Sequence, residues 1–526
     1  MQIMNYADYT AIPLWGWVLT LSAGLVVLGI VISILRPRAA QLNLPPCPGV
    51  YPIVGSLPLL GAIPGEPAHH MFKRLADKYG SLVYLRMGSC PTVIVSDSEF
   101  AKLVLKDQDH VFASRPLLAS GKYIGMNFES LVFSPMGNHY KKLSKIYSSE
   151  LLSPRRVMES QGVRENGMRA TVKSIYRHAI EGPAVKLSSE LHALGLNIML
   201  DMIFGKDRDK LEVGGGERLS MDELKDVVRE SLEVAAEFDF GEYIPIARYL
   251  DLTGIIRRMK SIQSRMRNVA AKLIAEHIQR RKITGEAMEP QDIAVLDVLL
   301  SLKDENGLSD DAVTGALFDM IVAGSDTTSL SADWAIAELT RNPELMKKLQ
   351  DEADRVVGRD RSVKESDLPK MKYLQCVVKE SMRIHSPTPL AIPHCSVQAT
   401  KLGGYDIPAG CTVLMNLWAI NRDPKNWPEP HKFKPERFEN HDTNIFGQDF
   451  TLLPFSAGRR GCSGMLLGFT MVQLIVATLV HSFDLRPHGM EASEVDVISE
   501  KPGLTLIRPY EQLVEARPRL PLHLYN

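Results

Sequence analysis

The sequence lacks the patterns that mark several common classes of protein. Its 526 residues include only six cysteines, and none of them forms a CxxC pair: 47, 90, 376, 395, 411 and 462. Neither a zinc-binding module nor a disulfide framework is indicated, and this usage fits a reducing compartment. Charge of one sign is not in excess either, because 61 Lys and Arg face 62 Asp and Glu. This balance removes the global electrostatic case for a nucleic-acid partner.

Internal boundaries are also missing from most of the chain. After residue 56 there is no Gly/Ser-rich linker, no block of like charges and no internal repeat. Length alone would allow several domains. We nevertheless predict one large catalytic domain over residues 57–526.

Charged residues are absent from Tyr9 to Leu35. A helix of this length, at about 1.5 Å per residue, exceeds a hydrocarbon core of about 30 Å. We therefore predict a single-pass membrane anchor over residues 1–40. A cleaved signal peptide would carry basic residues before the apolar run, and only Asp8 precedes it. Trp15 and Trp17 lie near one end of the run, as interfacial aromatic residues do. Arg36 and Arg38 follow the other end and place the rest of the chain on the cytoplasmic side. Both features support an anchor.

The segment at 41–56 is rich in proline and predicts a stiff, non-helical hinge. Beyond it the periodicity is mainly helical, with strands near 82–85, 92–95, 400–407 and 412–416. Helices are predicted over 142–160, 186–205, 221–237, 255–284, 308–341, 343–357 and 370–385, and after Cys462. The expected fold class is mainly α with a small β region.

The most informative stretch, residues 455–464, reads Phe-Ser-Ala-Gly-Arg-Arg-Gly-Cys-Ser-Gly. A thiolate ligand donates electron density to iron and favours cleavage of a bound O–O bond. Its sulfur needs backbone N–H donors and protection from water. We interpret Cys462 as an axial iron ligand. Gly458 and Gly464 would allow the turn, and Gly464 would also permit close approach to the porphyrin. Arg460 would neutralise a haem propionate, and Phe455 would shield the sulfur from water. The alternative is a buried structural cysteine. Five positions of this stretch, at fixed offsets from one another, suit a thiolate ligand loop, and such a coincidence is rare by chance.

The pattern F-x-x-G-x-R-x-C-x-G resembles the haem-binding signature of the cytochrome P450 superfamily. Two further motifs precede it in the family's order, because Glu380–Arg383 resembles E-x-x-R and Pro435–Phe438 resembles P-E-R-F. The resemblance implies the cytochrome P450 fold, a haem b with Cys462 as its ligand, and a structural network of Glu380, Arg383 and Arg437. A Glu and an Arg three residues apart share one helix face, which supports this pairing.

Ala323-Gly-Ser-Asp-Thr-Thr328 lies within the helix predicted over 308–341, with Ser309 as its N-cap and Asn342-Pro343 as its end. A small kink there would leave room for O2 over the haem. The resemblance implies that Asp326 and Thr327 form an acid–alcohol pair that delivers protons to oxygen. Alternatively, the hydroxyls of Thr327 and Thr328 only donate hydrogen bonds to carbonyls of their own helix.

One stretch departs from the family's pattern. Members commonly carry W-x-x-x-R on a helix that reaches a propionate, whereas residues 140–145 here read Tyr-Lys-Lys-Leu-Ser-Lys. Some cation must replace the arginine. We hypothesise that Lys145 does so, helped by the Tyr140 hydroxyl, His394 and Arg460.

The resemblance covers essentially the whole chain and is strongest to plant microsomal members. Residues 373–381, 403–408 and 518–521 are similar to hydroxycinnamoyl-ester meta-hydroxylases. This implies a monooxygenase that inserts one atom of O2 into a small organic substrate, such as a phenylpropanoid, using electrons from NADPH. The implied setting is a monomer in the endoplasmic reticulum membrane, with NADPH-cytochrome P450 reductase and membrane lipid as partners. The pocket residues carried over could equally be ordinary core: Phe318, Ile321, Val322, Thr388, Leu390 and Leu504.

Two other functions are compatible with a haem-thiolate site. One is an isomerase or dehydratase that rearranges peroxides without O2. Such enzymes generally lose the acid–alcohol pair, which is present here. The other is a catalytically silent membrane scaffold, against which Cys462, Asp326 and Thr327 argue.

Overall fold

The computed structural model describes residues 42–60, 65–205, 221–237, 239–244, 251–284, 293–440 and 443–525, with the single positions 22, 24, 63 and 247. The predicted anchor therefore lies outside the described residues, apart from two positions. The longer helices are α1 (Ala68–Tyr79), α2 (Asn138–Ile146), α3 (Gln161–Glu181), α4 (Leu187–Phe204), α5 (Met221–Ala236), α6 (Ile255–Thr284), α7 (Val295–Asn306), α8 (Asp310–Arg341), α9 (Pro343–Val357), α10 (Lys372–Ile384) and α11 (Met465–Ser482).

Shorter helical segments connect the long helices. They lie at Leu57–Leu59, Ser98–Lys102, Leu103–Asp107, Asp109–Phe112, Ala119–Tyr123, Tyr147–Leu151, Pro154–Glu159, Phe240–Tyr243, Glu365–Lys370, Leu417–Ile420, Pro435–Phe438, Gly458–Arg460, Ala492–Glu494 and Leu522–Tyr525.

The strands form small sheets beside the helices. They are β1 (Leu82–Met87), β2 (Cys90–Val95), β3 (Val185–Lys186), β4 (His394–Cys395), β5 (Thr400–Leu402), β6 (Tyr405–Ile407), β7 (Thr412–Met415), β8 (Phe483–Pro487) and β9 (Leu513–Pro518). The first sheet has the order β1-β2-β7-β4, in which only β2 and β7 run parallel. The others have the orders β3-β9-β8 and β5-β6. The predicted fold class, mainly α with a small β region, is confirmed.

Most predicted helices are confirmed within a few residues, but the helix predicted over 142–160 is wrong. The chain there forms α2, a π-helical turn at Tyr147–Leu151 and a new helix at Pro154–Glu159. Ser153 caps this new helix through a bond from the Arg156 N–H, and Pro154 occupies its first turn. Proline has no N–H for the preceding turn, so it starts a helix rather than continuing one. Helices α1, α3 and α7 were not predicted.

Helix α8 runs through the centre of the main hydrophobic core, with α4 and α11 packed against it. Two glycines allow α4 and α8 to approach closely. A Cβ on Gly324 would lie 2.7 Å from the Met199 sulfur, and one on Gly195 would lie 2.3 Å from the Ser329 hydroxyl. Gly195 is therefore required for this packing, because its Cβ would also lie 2.7 Å from the Ser325 carbonyl oxygen, whereas at Gly324 the flexible Met199 side chain could shift.

Among the described residues, α11 is the one helix long and apolar enough to cross a membrane. It is mostly buried inside the protein, as expected of a core helix. The hinge, described from residue 42, contains no helix up to residue 56 and is bonded to the domain. The Asn43 N–H donates to Asp406 Oδ2 (2.8 Å), and the Tyr84 N–H donates to the Pro46 carbonyl (2.9 Å).

Candidate haem-thiolate site

The loop before α11 holds Cys462 in a tight turn. The Cys462 N–H donates to the Phe455 carbonyl at 2.9 Å. Gly458 has a φ of +72°, and a Cβ there would lie 2.2 Å from the Leu105 carbonyl oxygen, so only glycine fits. Gly464 differs, because its φ of −93° is open to any residue. The turn itself does not need glycine at 464, and the close approach to the porphyrin that we expect there stays a prediction. The Gly464 backbone N–H reaches the sulfur.

The Cys462 side chain is accessible to solvent although its sulfur lies deep in the protein. The two observations agree if the thiol borders an internal cavity. Burial raises the pKa of the thiol, and the hydrogen bond from the Gly464 N–H only partly opposes this. Without a bound cation the thiol therefore stays protonated at neutral pH. An electropositive partner would be needed to hold it as a thiolate.

Two buried guanidinium groups lie next to this loop. Arg115 donates to the carbonyls of Ile392 (2.7 Å) and Pro393 (2.9 Å), and Arg460 donates to that of Ala113 (2.7 Å). Burial lowers the pKa of Arg115 to about 9 and that of Arg460 to about 10. Within the described residues neither forms an ion pair with a carboxylate. Buried positive charges without a counter-ion are costly, so the pair fits an anionic group supplied from outside the chain.

Tyr140 and His394 join this pair, but Lys145 does not. The Tyr140 ring lies 3.5 Å from the Arg460 guanidinium carbon, and its hydroxyl donates to the Arg459 carbonyl. His394 is buried, and burial together with the charge of Arg115 lowers its pKa to about 3, so the imidazole is neutral. Lys145 is exposed, and its side chain has no partner in the described part of the chain.

Helix α8 is buried along most of its length and accessible near its middle. Ala323 is exposed, and Val322, Gly324, Asp326 and Thr327 are partly exposed. The helix is continuous across this window, so no break accompanies the Gly-Ser-Asp-Thr-Thr sequence. The Thr327 hydroxyl donates to the Ala323 carbonyl at 2.7 Å. This hydrogen bond to the helix backbone is the alternative to a role of Thr327 in proton delivery.

The Asp326 carboxylate lies on the same window. It accepts a hydrogen bond from the Thr505 hydroxyl at 3.1 Å, and His192 Nε2 lies 3.7 Å from its other oxygen. Burial raises the pKa of Asp326 above its ordinary value. A raised pKa makes the carboxyl easier to protonate near neutral pH, which suits a group that passes protons.

Sequence reasoning missed Asp319, two turns before Asp326. Burial raises its pKa to about 7, against the hydrogen bonds it accepts from the backbone N–H groups of Val132 and Leu131 and from two hydroxyls, Ser130 and Tyr147. The carbonyls of Leu131 and Val132 in turn accept from Arg460 and Arg115. Asp319 therefore connects α8 to the backbone at Leu131 and Val132, which binds the Arg115 and Arg460 side chains. An isolated acid between Phe318 and Met320 in an apolar helix was the available signal.

Glu380, Arg383 and Arg437 form a buried network. Arg383 Nε and Nη2 donate to the two oxygens of Glu380 at 2.7 and 3.0 Å, and Arg437 Nε donates to one of them at 2.9 Å. Arg383 also donates to the carbonyls of Asn421 and Pro430. The network therefore joins α10 to the proline-rich segment that leads to the cysteine loop.

The six predicted pocket residues fall into two groups. Phe318 and Ile321 are fully buried in the main core, which favours ordinary packing for both. The others are partly accessible: Val322, Thr388, Leu390 and Leu504. Leu504 precedes Thr505, the partner of Asp326.

Comparison with known proteins agrees with this geometry. Residues 45–513 match the family "Cytochrome P450". The chain is 36% identical to a flavonoid 3'-monooxygenase of Arabidopsis thaliana, covering 93% of this chain and 94% of the relative. It is 38% identical to cytochrome P450 98A1 of Sorghum bicolor, covering 97% and 98%. A zebrafish cytochrome P450 structure with progesterone shares 25% identity with a TM-score of 0.71, covering 86% of this chain and 100% of that one.

Proposed function

Because the chain belongs to the cytochrome P450 family and is therefore a monooxygenase with a haem-thiolate iron cofactor, we propose that Cys462 is the iron ligand. We further propose that the catalytic domain hydroxylates an aromatic ring of a phenolic substrate. The observation that carries the proposal is the deep but accessible Cys462 thiol beside two buried arginines that have no carboxylate partner in the described residues. Haem b brings both an electropositive iron for the thiol and two carboxylates for the arginines. When bound, it supplies O2 activation with electrons from NADPH.

The residues of the chain divide the remaining work. Arg115 and Arg460, with Tyr140 beside them, would hold the propionates by charge-assisted hydrogen bonds. Phe455 would shield the sulfur, and the Gly464 N–H would moderate its charge. The accessible window of α8 would form the opposite wall of the cavity. There Asp326 would take up protons near His192, and Thr327 would pass them on.

Replacement of Thr327 by alanine should uncouple electron use from product formation. The hydroxyl now donates to the Ala323 carbonyl, so its oxygen remains free to accept and relay a proton. Proton transfer by a positioned group contributes about 10²–10⁴-fold to a rate. We expect NADPH consumption to continue while most electrons end in peroxide or water. The measurement is product formed per NADPH consumed, with Thr327→Ser as the matched control. Wild-type coupling in the alanine variant would refute the relay and leave only the back-bond.

Replacement of Arg115 by alanine should accelerate haem loss, whereas replacement of Lys145 should not. A hydrogen bond to a charged group is worth about 1.5–3 kcal/mol, equivalent to roughly ten- to a hundred-fold in rate. Arg115 is buried in the cationic cluster and Lys145 is exposed outside it. Transfer of haem to excess apomyoglobin measures the rate. Faster transfer from Lys145→Ala than from Arg115→Ala would restore our original assignment of the propionate cation.

The apolar segment at 9–35 supports anchoring in the endoplasmic reticulum membrane, with the catalytic domain on the cytoplasmic side. Arg459 in the thiol loop is exposed and pairs with Asp109 at 3.0 Å. We propose NADPH-cytochrome P450 reductase as the electron donor, as the family resemblance implies.

The substrate class rests on the relatives and on the three segments similar to hydroxycinnamoyl-ester hydroxylases. The decisive experiment expresses the full chain with a plant reductase in microsomes and offers flavonoids and hydroxycinnamoyl esters separately. We expect a substrate-induced spectral shift and a product heavier by one oxygen atom with at least one class. Turnover of peroxides without NADPH, or no turnover with an intact haem spectrum, would instead support an isomerase or a silent scaffold.

A further inference from the structure

Away from the thiol loop, two adjacent histidines at the start of α1 converge on one carboxylate. His69 Nε2 lies 2.6 Å from Glu500 Oε2, and His70 Nε2 lies 3.2 Å from the same oxygen. The three ligand atoms lie within 4.8 Å of one another. Ligand atoms around a tetrahedral zinc ion lie roughly 3.3 Å apart, given bond lengths of about 2.0–2.1 Å. Only small side-chain shifts would therefore admit an ion.

We propose that His69, His70 and Glu500 form a binding site for a divalent transition-metal ion of the zinc class. Neutral imidazole and carboxylate are ligands that Zn²⁺ favours, and three protein ligands leave one position for water. The site is separate from the haem site and does not depend on the proposed substrate.

His70 supplies an observation independent of the clustering. Its Nε2 atom is buried and makes no hydrogen bond of good geometry among the described residues, although it lies 3.2 Å from Glu500 Oε2. A buried ring nitrogen that lacks a well-formed hydrogen bond is costly. A metal ion between His70 and Glu500 would accept the lone pair of His70 Nε2. On binding, the proton that now joins His69 Nε2 to the carboxylate would leave Nε2, and the neutral ring would carry its single proton on Nδ1 while Nε2 binds the ion.

The surroundings already orient the ligands. The Trp418 indole N–H donates to Glu500 Oε1 at 3.2 Å, which leaves Oε2 for the histidines. The Asn416 side-chain amide donates to the His69 carbonyl at 2.8 Å and fixes the start of α1. Such supporting bonds are usual around metal ligands.

Solvent can reach the site, and one buried cation lies beside it. The Arg422 guanidinium lies over the Trp418 ring at 4.1 Å and forms no ion pair with Glu500 in the described structure, although its charge acts on both Glu500 and His69. The His70 side chain is 36% exposed, which gives the ion a path from solvent.

The position of Glu500 connects the site to the active centre. Glu500 lies five residues before Thr505, whose hydroxyl binds Asp326. An ion would therefore fasten α1 to the segment that supports the proton-delivering carboxylate.

The test measures zinc bound by the full-length, haem-loaded protein after equilibration with Zn²⁺ and gel filtration. We expect about one more zinc per haem in the wild type than in His70→Ala or Glu500→Gln. His178→Ala is the matched control, since His178 Nδ1 pairs with Glu190 at 2.8 Å without a third ligand. It should retain the wild-type content, and excess Mg²⁺ should not displace the ion because Mg²⁺ prefers oxygen ligands.

Thermal unfolding gives a second readout that does not depend on activity. Zinc should raise the unfolding midpoint of the wild type and of His178→Ala, and leave that of Glu500→Gln unchanged. Equal zinc contents in the wild type, His70→Ala and Glu500→Gln would overturn the proposal, as would displacement by Mg²⁺. His70 is partly exposed, so its alanine variant should fold and keep its haem.

Discussion

Replacing Glu380 by glutamine should leave little haem-loaded protein. The Glu380 and Arg383 side chains are completely buried and that of Arg437 is 12% exposed. Glutamine retains the shape but removes the charge, so two arginines lose their counter-ion and one oxygen no longer accepts their N–H groups. Breaking a buried ion pair by changing one partner costs about 3–5 kcal/mol. A protein is stable by only about 5–15 kcal/mol, so the loss is a large part of the total.

The measurement is the ratio of haem absorbance to protein, together with the unfolding midpoint. Glu159→Gln is the control, because Glu159 pairs with Arg155 and Arg156 at the surface. Changes at such exposed pairs are worth about 0–1 kcal/mol. Normal haem content and an unchanged midpoint in Glu380→Gln would show that the network contributes little to the haem-binding core.

Features encoded by local sequence were predictable. The helices α4, α8 and α9 have apolar residues at helical spacing and clear end signals, such as the Ser309 cap, which accepts from the Ala312 N–H. The cysteine loop was predictable because its residues act within ten positions of one another. The triad was predictable only because motif order linked Glu380 to Arg437, which are distant in sequence.

Features set by tertiary contacts were not predictable. We chose Lys145, from the helix that carries Tyr140, to replace the missing arginine, with Arg460 and His394 from other segments as its helpers. The structure instead brings Arg115, from a different segment, beside Arg460. The role of Gly324 was likewise attributed to a kink, whereas its closest neighbour is Met199 on another helix. Periodicity and spacing carry no information about which segments meet.

Replacing Cys462 by serine should abolish monooxygenation. Serine has almost the same size, so the turn between Phe455 and α11 should persist. Its hydroxyl is a far poorer electron donor to iron than a thiolate, and it remains protonated at neutral pH. We therefore expect product formation to fall to background even where haem is retained. Cys395→Ser, which alters a partly buried cysteine outside the loop, should retain activity.

The absorption spectrum of the reduced, carbon monoxide-bound protein tests the central claim most directly. The wild type and Cys395→Ser should show the band at the wavelength typical of thiolate-ligated haem. Cys462→Ser should lack that band, even where its haem content is normal. Retention of the thiolate band in Cys462→Ser would show that another residue binds the iron and would contradict the assignment of the site.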